Sequence, residues 1–174
     1  FYLRFLKRYG DFEQYCEAIG LSDDEYRSLV SLLGKQEKSC GAVVFHNGKV
    51  LVEHMVQGHY SIPKGHVESF DVDEYATARR EIKEETGLEV DHFLSGFRYP
   101  IFYSPLVGVF KEVVFYIAEV KTSDTVPQKE EVESCHFISP ADAMRVLSHD
   151  SDRRVMKEAA WYEANHHDEW MAKK

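Results

Sequence analysis

The sequence has little cysteine, a shortage of positive charge and no long apolar run. Three of its 174 residues are cysteines, Cys16, Cys40 and Cys135, and they form no Cys-x-x-Cys pair. So sparse and odd a set argues against a disulfide framework and for a reducing, cytoplasmic setting. No stretch reaches the roughly 18 apolar residues of a membrane span, and nothing reads as a secretory signal. Lys and Arg number 21 against 30 Asp and Glu, a formal charge of −9. Proteins that bind DNA or anionic membranes draw affinity from a basic surface, so neither partner is expected. An RNA 5′ end is disfavoured on the same ground. The charge does not exclude a polyphosphate reached through a metal ion. The 44% hydrophobic and 13% aromatic content is that of a soluble globular chain, at a length typical of one domain.

The amino-terminal residues 1–34 read as a helical hairpin. Phe1, Phe5, Tyr9 and Phe12 recur at helical spacing, as do Tyr26, Leu29, Val30 and Leu33. Ser22 with Glu25 makes a capping box, and Gly20 and Gly34 are stops. The texture then changes. Cys40 to Phe45 is an apolar strand, Asn47-Gly48 a hairpin turn and Lys49 to Val56 the return strand. Tyr60 to Pro63 reads as short and extended, 73–86 as a helix, 89–103 and 107–121 as strands, and 132–138 as another. Pro140 opens a helix to about His149, and a last helix covers about 152–166. Strict βαβ alternation is missing, which argues against a doubly wound fold. The pattern predicts an α+β chain, an α/β/α sandwich with a mixed sheet. The expected division is an extension over 1–38 and one domain over 39–174.

The most informative stretch is Gly65 to Leu88, GHVESFDVDEYATARREIKEETGL. Glu81, Glu84 and Glu85 fall at i, i+3 and i+4, on one helix face, where like charges repel by a few tenths of a kcal/mol per pair. A divalent cation among them would turn repulsion into attraction. All-oxygen ligands favour Mg²⁺ or Mn²⁺ over Zn²⁺. Tyr75, Ala78 and Ile82 are expected on the buried face.

Arg80, Glu81, Ile82, Glu84, Glu85, Gly87 and Leu88 match the second half of the Nudix box, G-x5-E-x7-R-E-U-x-E-E-x-G-U with U apolar, and Gly65 matches its first glycine. Over residues 39 to about 165 the sequence resembles the Nudix hydrolases. One departure stands out. Gly65 to Arg80 spans fifteen positions where the pattern has fourteen, so the loop carries one extra residue and the family's first Glu falls at Asp71 or Val72, of which Asp71 is the better candidate. In the family that Glu supports the loop by pairing with the box Arg. The flanking segments Ser39 to Phe45, Tyr60 to Glu68 and Lys111 to Tyr116 resemble the asymmetric diadenosine tetraphosphate hydrolases, which usually have Trp at the position of Tyr60.

The resemblance implies the Nudix fold and Mg²⁺-dependent cleavage of a nucleoside polyphosphate, with Mn²⁺ as a substitute. It implies metal held by Glu81, Glu84, Glu85 and Gly65. It places catalysis on those glutamates and Glu131, with the general base open between Glu81, Glu130 and Glu131. Lys64 and Lys111 would contact phosphate, while Tyr60 and Tyr103 would meet the base, with Trp161 a further candidate for stacking. His59 and His66 read as supporting residues near the loop. The leading substrate is a dinucleoside polyphosphate such as diadenosine tetraphosphate. The alternatives are a pyrophosphohydrolase for nucleoside triphosphates, sugar nucleotides or RNA 5′ ends, and a non-catalytic Nudix ligand sensor.

Overall fold

A computed structural model of the protein describes residues 12–22, 24–28, 35–106 and 109–171. Helix α1, Phe12–Ala18, stops at Gly20, whose φ of 81° needs a residue without a Cβ. Gly20 N donates to Glu17 O at 3.0 Å and Leu21 N to Cys16 O at 2.9 Å, so the helix end satisfies its own carbonyls. The Ser22–Glu25 capping box forms as the spacing predicts. Ser22 N donates to Glu25 Oε2 at 2.9 Å, Glu25 N to Ser22 Oγ at 3.4 Å, and residues 24–28 are helical. Phe1, Phe5, Tyr9, Leu29, Val30, Leu33 and Gly34 lie outside the described residues. Tyr26 meets Phe102 edge-on at 5.4 Å, which ties this segment to the sheet.

The sheet follows from alternation along its two longest strands, β1 (Lys35–His46) and β7 (Val109–Val120). They pair in parallel from Lys35 opposite Val109 to Phe45 opposite Glu119. β1 turns through Asn47 (φ 49°) and Gly48 (φ 72°) into β2, Lys49–Met55, as the Asn-Gly signal predicts. Two short strands follow, β3 (Tyr60–Ser61) on β2 and β4 (Lys64–His66) on β1. β5 (Val90–Phe93) and β6 (Tyr99–Leu106) both run antiparallel to β7, and β8 (Val132–Ile138) runs antiparallel to β2. The eight strands form one mixed sheet.

Odd and even residues face different layers. Val43, Phe45, Val50, Val52, Val113, Phe115 and Ile117 pack with Leu147, Val155, Met156 and Ala159. These come from α3 (Pro140–Val146, with its cap Leu147) and α4 (Asp150–Met171). Ala42, Val44, Leu51, Val114, Tyr116 and Ala118 pack with Ala78, Ile82 and Leu88 of α2 (Glu74–Thr86) and its exit. The expected α/β/α sandwich with a mixed sheet is therefore present.

Three details differ from expectation. The strand expected over 89–103 breaks into β5 and β6, because Gly96 turns at φ 89° and a Cβ there would lie 2.5 Å from the Tyr162 hydroxyl. The helix from Pro140 ends at Val146, and α4 begins earlier and runs longer than 152–166. Tyr75 is not buried like Ala78 and Ile82: it is 38% exposed, with its ring against Tyr116 and Phe93 at the sheet edge, where no further layer covers it. Among the described residues no helix is long and apolar enough to cross a membrane.

Candidate active site

The box folds as a strand, a loop and a helix. β4 brings Gly65 opposite Cys40 on β1, and α2 lays Glu81 over it. A Cβ on Gly65 would lie 2.0 Å from the Glu81 carboxylate, so this close approach requires glycine. The backbone N–H of Lys64 donates to Glu85 Oε2 at 3.1 Å. Two of the three helix carboxylates are thus fixed against the Lys64–Gly65 backbone. Glu84 stays outside, its side chain 53% exposed. The three share a face by spacing, yet Glu85 is buried because it lies at the edge nearest the sheet.

Arg80 joins the loop to the helix. Its Nη2 donates to His66 O at 2.8 Å and to Asp71 Oδ2 at 2.9 Å, and its Nε donates to Asp71 Oδ1 at 3.2 Å. Its Nη1 donates to Glu81 Oε1 at 2.6 Å and Glu84 Oε2 at 3.2 Å. The shorter Asp71 reaches the guanidinium from a turn closed on Glu68. Asp71 N donates to Glu68 O at 3.0 Å, while Glu68 N and Thr77 Oγ1 donate to Asp71 Oδ2, each at 2.9 Å. Hydrogen bonding to Arg80 holds the Asp71 carboxyl well below the usual carboxylate range.

A fourth carboxylate, Glu53, went unnoticed in the sequence. It sits on β2 at the parity of Leu51, which points it toward α2, and it is 1% exposed. Its Oε1 is buried without a hydrogen-bond partner. The available signal was a lone acid inside the apolar run Val50-Leu51-Val52-Glu53. Burial pushes both Glu53 and Glu85 upward; the charge of Glu53 pushes Glu85 further, and the charges of Glu81 and Glu131 push Glu53 further. Burial also raises Glu81, against the pull of Arg80. The charge of Glu131, exposed before β8, is felt at both Glu53 and Glu81.

The predicted cationic and aromatic residues divide. Lys64 Nζ donates to Ser61 Oγ at 2.5 Å and lowers both Glu53 and Glu85 by its charge. Lys111, opposite Tyr103 in the β6–β7 ladder, lies 3.4 Å from His66 Nε2, and burial lowers its pKa. Tyr103 borders two cavities. One, of roughly 530 Å³, includes Lys111, Lys38 and Arg98 in its wall. The other, of roughly 480 Å³, includes Lys64. Tyr60 is not among the described residues lining either cavity, and its ring stacks on His54 at 4.5 Å. Trp161 is 60% exposed on α4.

The NUDIX domain family matches residues 35–159, a span that contains every one of the four carboxylates. The chain belongs to the Nudix hydrolase family. Among curated proteins it is 40% identical over 55 residues to the putative hydrolase 111R of Invertebrate iridescent virus 3, 32% of either chain. The match therefore spans about a third of that relative's length. It is 30% identical over 103 residues to the asymmetrical bis(5′-nucleosyl)-tetraphosphatase of Rattus norvegicus, covering 58% of this chain and 69% of the rat protein. A C. elegans Ap4A hydrolase binary complex superposes with a TM-score of 0.66 at 22% identity, over 74% of this chain and 98% of that one. A NUDIX hydrolase from Nitrosomonas europaea gives 0.61 at 17% identity, over 76% and 73%. At these identities the two superpositions speak to the fold.

The Nudix carboxylates fit a hard divalent cation. Glu53, Glu81, Glu84 and Glu85 offer oxygen only, and Glu53 Oε1 is an acceptor still lacking a positive partner. The nearest sulfur does not compete. Cys135, opposite Glu53 in the β2–β8 ladder, has its thiol pushed up to about 12 by burial and the charges of Glu53 and Glu85. A second group at the β5 edge, Asp91, His92 and Glu119, places ligand atoms within 4.8 Å of one another. There the Lys121 ammonium already lies 2.8 Å from Asp91 Oδ1.

Proposed function

We propose that this Nudix chain hydrolyses a phosphoanhydride in a nucleoside polyphosphate, foremost a dinucleoside polyphosphate such as diadenosine tetraphosphate, with Mg²⁺ as cofactor and Mn²⁺ as a substitute. The observation that carries this reading is Glu81 and Glu85 packed against the Lys64–Gly65 backbone, together with the buried Glu53 whose acceptor is left unpaired. The rat relative's name points to the tetraphosphate within the wider nucleotide class.

Glu81, Glu84 and Glu85 would hold the cation, with Glu53 behind them and Gly65 giving close access. Bound there, it supplies Lewis-acid stabilisation of phosphate charge and a lowered barrier to water deprotonation. The chain's own residues do the rest. Lys64 and Lys111 neutralise outer phosphate oxygens, and their positive charge holds the polyanion along the mouth of the carboxylate cluster. Arg80 fixes the Glu81 carboxylate and keeps the loop at the distance where Gly65 admits it. Glu131 is exposed beside Glu53 and Glu81, where it accepts a proton from water. Tyr103, half-buried between the two cavities, offers a face to a base.

The test is a panel of nucleotides incubated with Mg²⁺ or with EDTA, products resolved by chromatography. Diadenosine tetraphosphate should give a mononucleotide and the remaining polyphosphate nucleotide, with Mg²⁺ only. Preference for a sugar nucleotide or a nucleoside triphosphate would move the substrate to the pyrophosphohydrolase reading. Tight binding without turnover would favour a ligand sensor.

A further inference from the structure

The cavity of roughly 480 Å³ beside Lys64 contains a group that the phosphate chemistry leaves unused. It lies where the first turn of α4 meets β6 and the residues around β3, and its wall includes His59, Lys64, Tyr103, His149 and Asp152. Asp152 is 3% exposed, and its Oδ2 is buried without a hydrogen-bond partner. Its other oxygen has only a marginal contact, from Ser151 Oγ at 3.5 Å. The charge of Asp152 is felt at both His59 and Tyr103, which places it among the groups facing the cavity. A helix's first turn favours a negative side chain, but a carboxylate oxygen withdrawn from water still requires a donor.

The nature of that donor follows from the surroundings. Lys64 marks the end of the cavity nearest the carboxylate cluster, so a polyphosphate would enter from that side. Arg154 also lines this cavity, but Asp152 itself repels phosphate, so the part of a nucleotide that reaches Asp152 is its uncharged end, bearing N–H groups. A carboxylate only accepts hydrogen bonds. A nucleobase fits this description, with its face on the Tyr103 ring and an amino edge toward Asp152. Adenine, guanine and cytosine each present an exocyclic amine. Uracil presents one N–H flanked by two carbonyl oxygens, which the carboxylate repels. The cavity is also of the size that takes a small ligand.

We propose that Asp152 reads the nucleobase, accepting a hydrogen bond from an exocyclic amine and so favouring amino-bearing bases over uracil. This rests on the nucleotide-substrate reading above, and two separate readouts keep the two apart. The first is equilibrium binding of AMP and of UMP by calorimetry, which needs no turnover. The full chain should bind AMP roughly tenfold or more tighter than UMP, the scale of a hydrogen bond to a charged partner. Asp152→Asn supplies an amide N–H₂ that a uracil carbonyl accepts, so the preference should collapse. Asp152→Ala, which removes the acceptor, should weaken AMP and spare UMP. The second readout is kcat/KM on the adenosine and uridine dinucleoside tetraphosphates, where the loss in Asp152→Asn should appear mainly in KM and only for adenosine.

Equal affinity for AMP and UMP in the unmodified chain would overturn the proposal. So would an Asp152→Asn variant that stays folded and weakens both ligands alike, the signature of a purely structural role. If AMP selectivity is present and lost in the variants while no dinucleotide is hydrolysed, base reading stands and the hydrolytic reading falls.

Discussion

Helix α2 carries acids at both ends, and the two ends meet opposite fates. At its start, Glu74 is surrounded by donors. Arg98 Nε and Nη2 each donate to it at 2.8 Å, Lys38 Nζ lies at 2.5 Å, and the Tyr116 hydroxyl donates as well. Hydrogen bonding to Arg98, aided by Lys38 and Tyr116, drives its carboxyl far below the usual range. Three turns on, Glu85 has a single backbone donor and faces Glu53, and burial drives both carboxyls upward. A fold that only had to be stable would pair both ends. The first end fastens the helix to the sheet; the second keeps a standing repulsion that Lys64 offsets in part and that a bound cation would relieve.

The comparison is broken most severely by removing charge at the unpaired end. Glu85→Gln should lower kcat by on the order of 10³-fold while the metal-free melting temperature holds or rises, because a neutral amide ends the repulsion. Near-unmodified turnover would remove Glu85 from the metal site. Glu53→Gln should act in the same direction, with a roughly 10- to 100-fold loss in Mg²⁺ affinity by titration calorimetry and a rise in metal-free stability. Glu74→Gln should invert the pattern, costing on the order of 1–3 kcal/mol of stability in denaturant titration and leaving kcat within about twofold. A large kcat defect there would dissolve the distinction between the ends.

Acid separates the two ends by sign. Glu53 and Glu85 have raised folded values, so the native state binds their protons more tightly than the unfolded chain. Without metal, their penalty is present at high pH and is relieved as pH falls toward about 5. Asp71 and Glu74 have depressed values. Their stabilisation is present above the unfolded carboxylate range, near pH 4, and is lost as pH drops through the folded values. A metal-free melting profile should therefore rise from about pH 9 to about pH 5 and fall below about pH 4. Glu53→Gln should flatten the upper limb and Asp71→Asn the lower. The effect of either substitution on the other limb should be small.

Residues 65–88 disclosed themselves because the Nudix box is a spacing along the chain, legible without knowing the fold. Arg80, Glu81, Glu84 and Glu85 could be read directly, and so could the Asn47-Gly48 hairpin and the Ser22–Glu25 cap, whose causes are local. Glu53 was hidden because its meaning depends on which face of β2 meets α2, a property of the assembled sheet. The burial of Glu85 was hidden for the same reason, since helical spacing shows which residues are neighbours and not which side the sheet covers. Asp71 could be matched by position only; that it closes on Arg80 from a turn on Glu68 needed the loop's path. The break between β5 and β6 turned on Tyr162, far along the chain from Gly96.

The pairing of β4 with β1 has a consequence for motion. Lys64, Gly65 and His66 are laddered onto Gly41, Cys40 and Ser39 of a strand that also pairs with β7 along most of its length. Gly41 is packed so tightly that a Cβ would stand 2.1 Å from Pro63 O. The segment beside the carboxylates is thus laddered onto a central strand and is no hinged flap. Its amide protons should exchange with deuterium on the slow timescale of whole-sheet opening. Whatever adapts to an arriving ligand must then be its other neighbours, among them α1 and the β6–β7 hairpin, while this backbone stands still as the fixed reference against which the ligand is positioned.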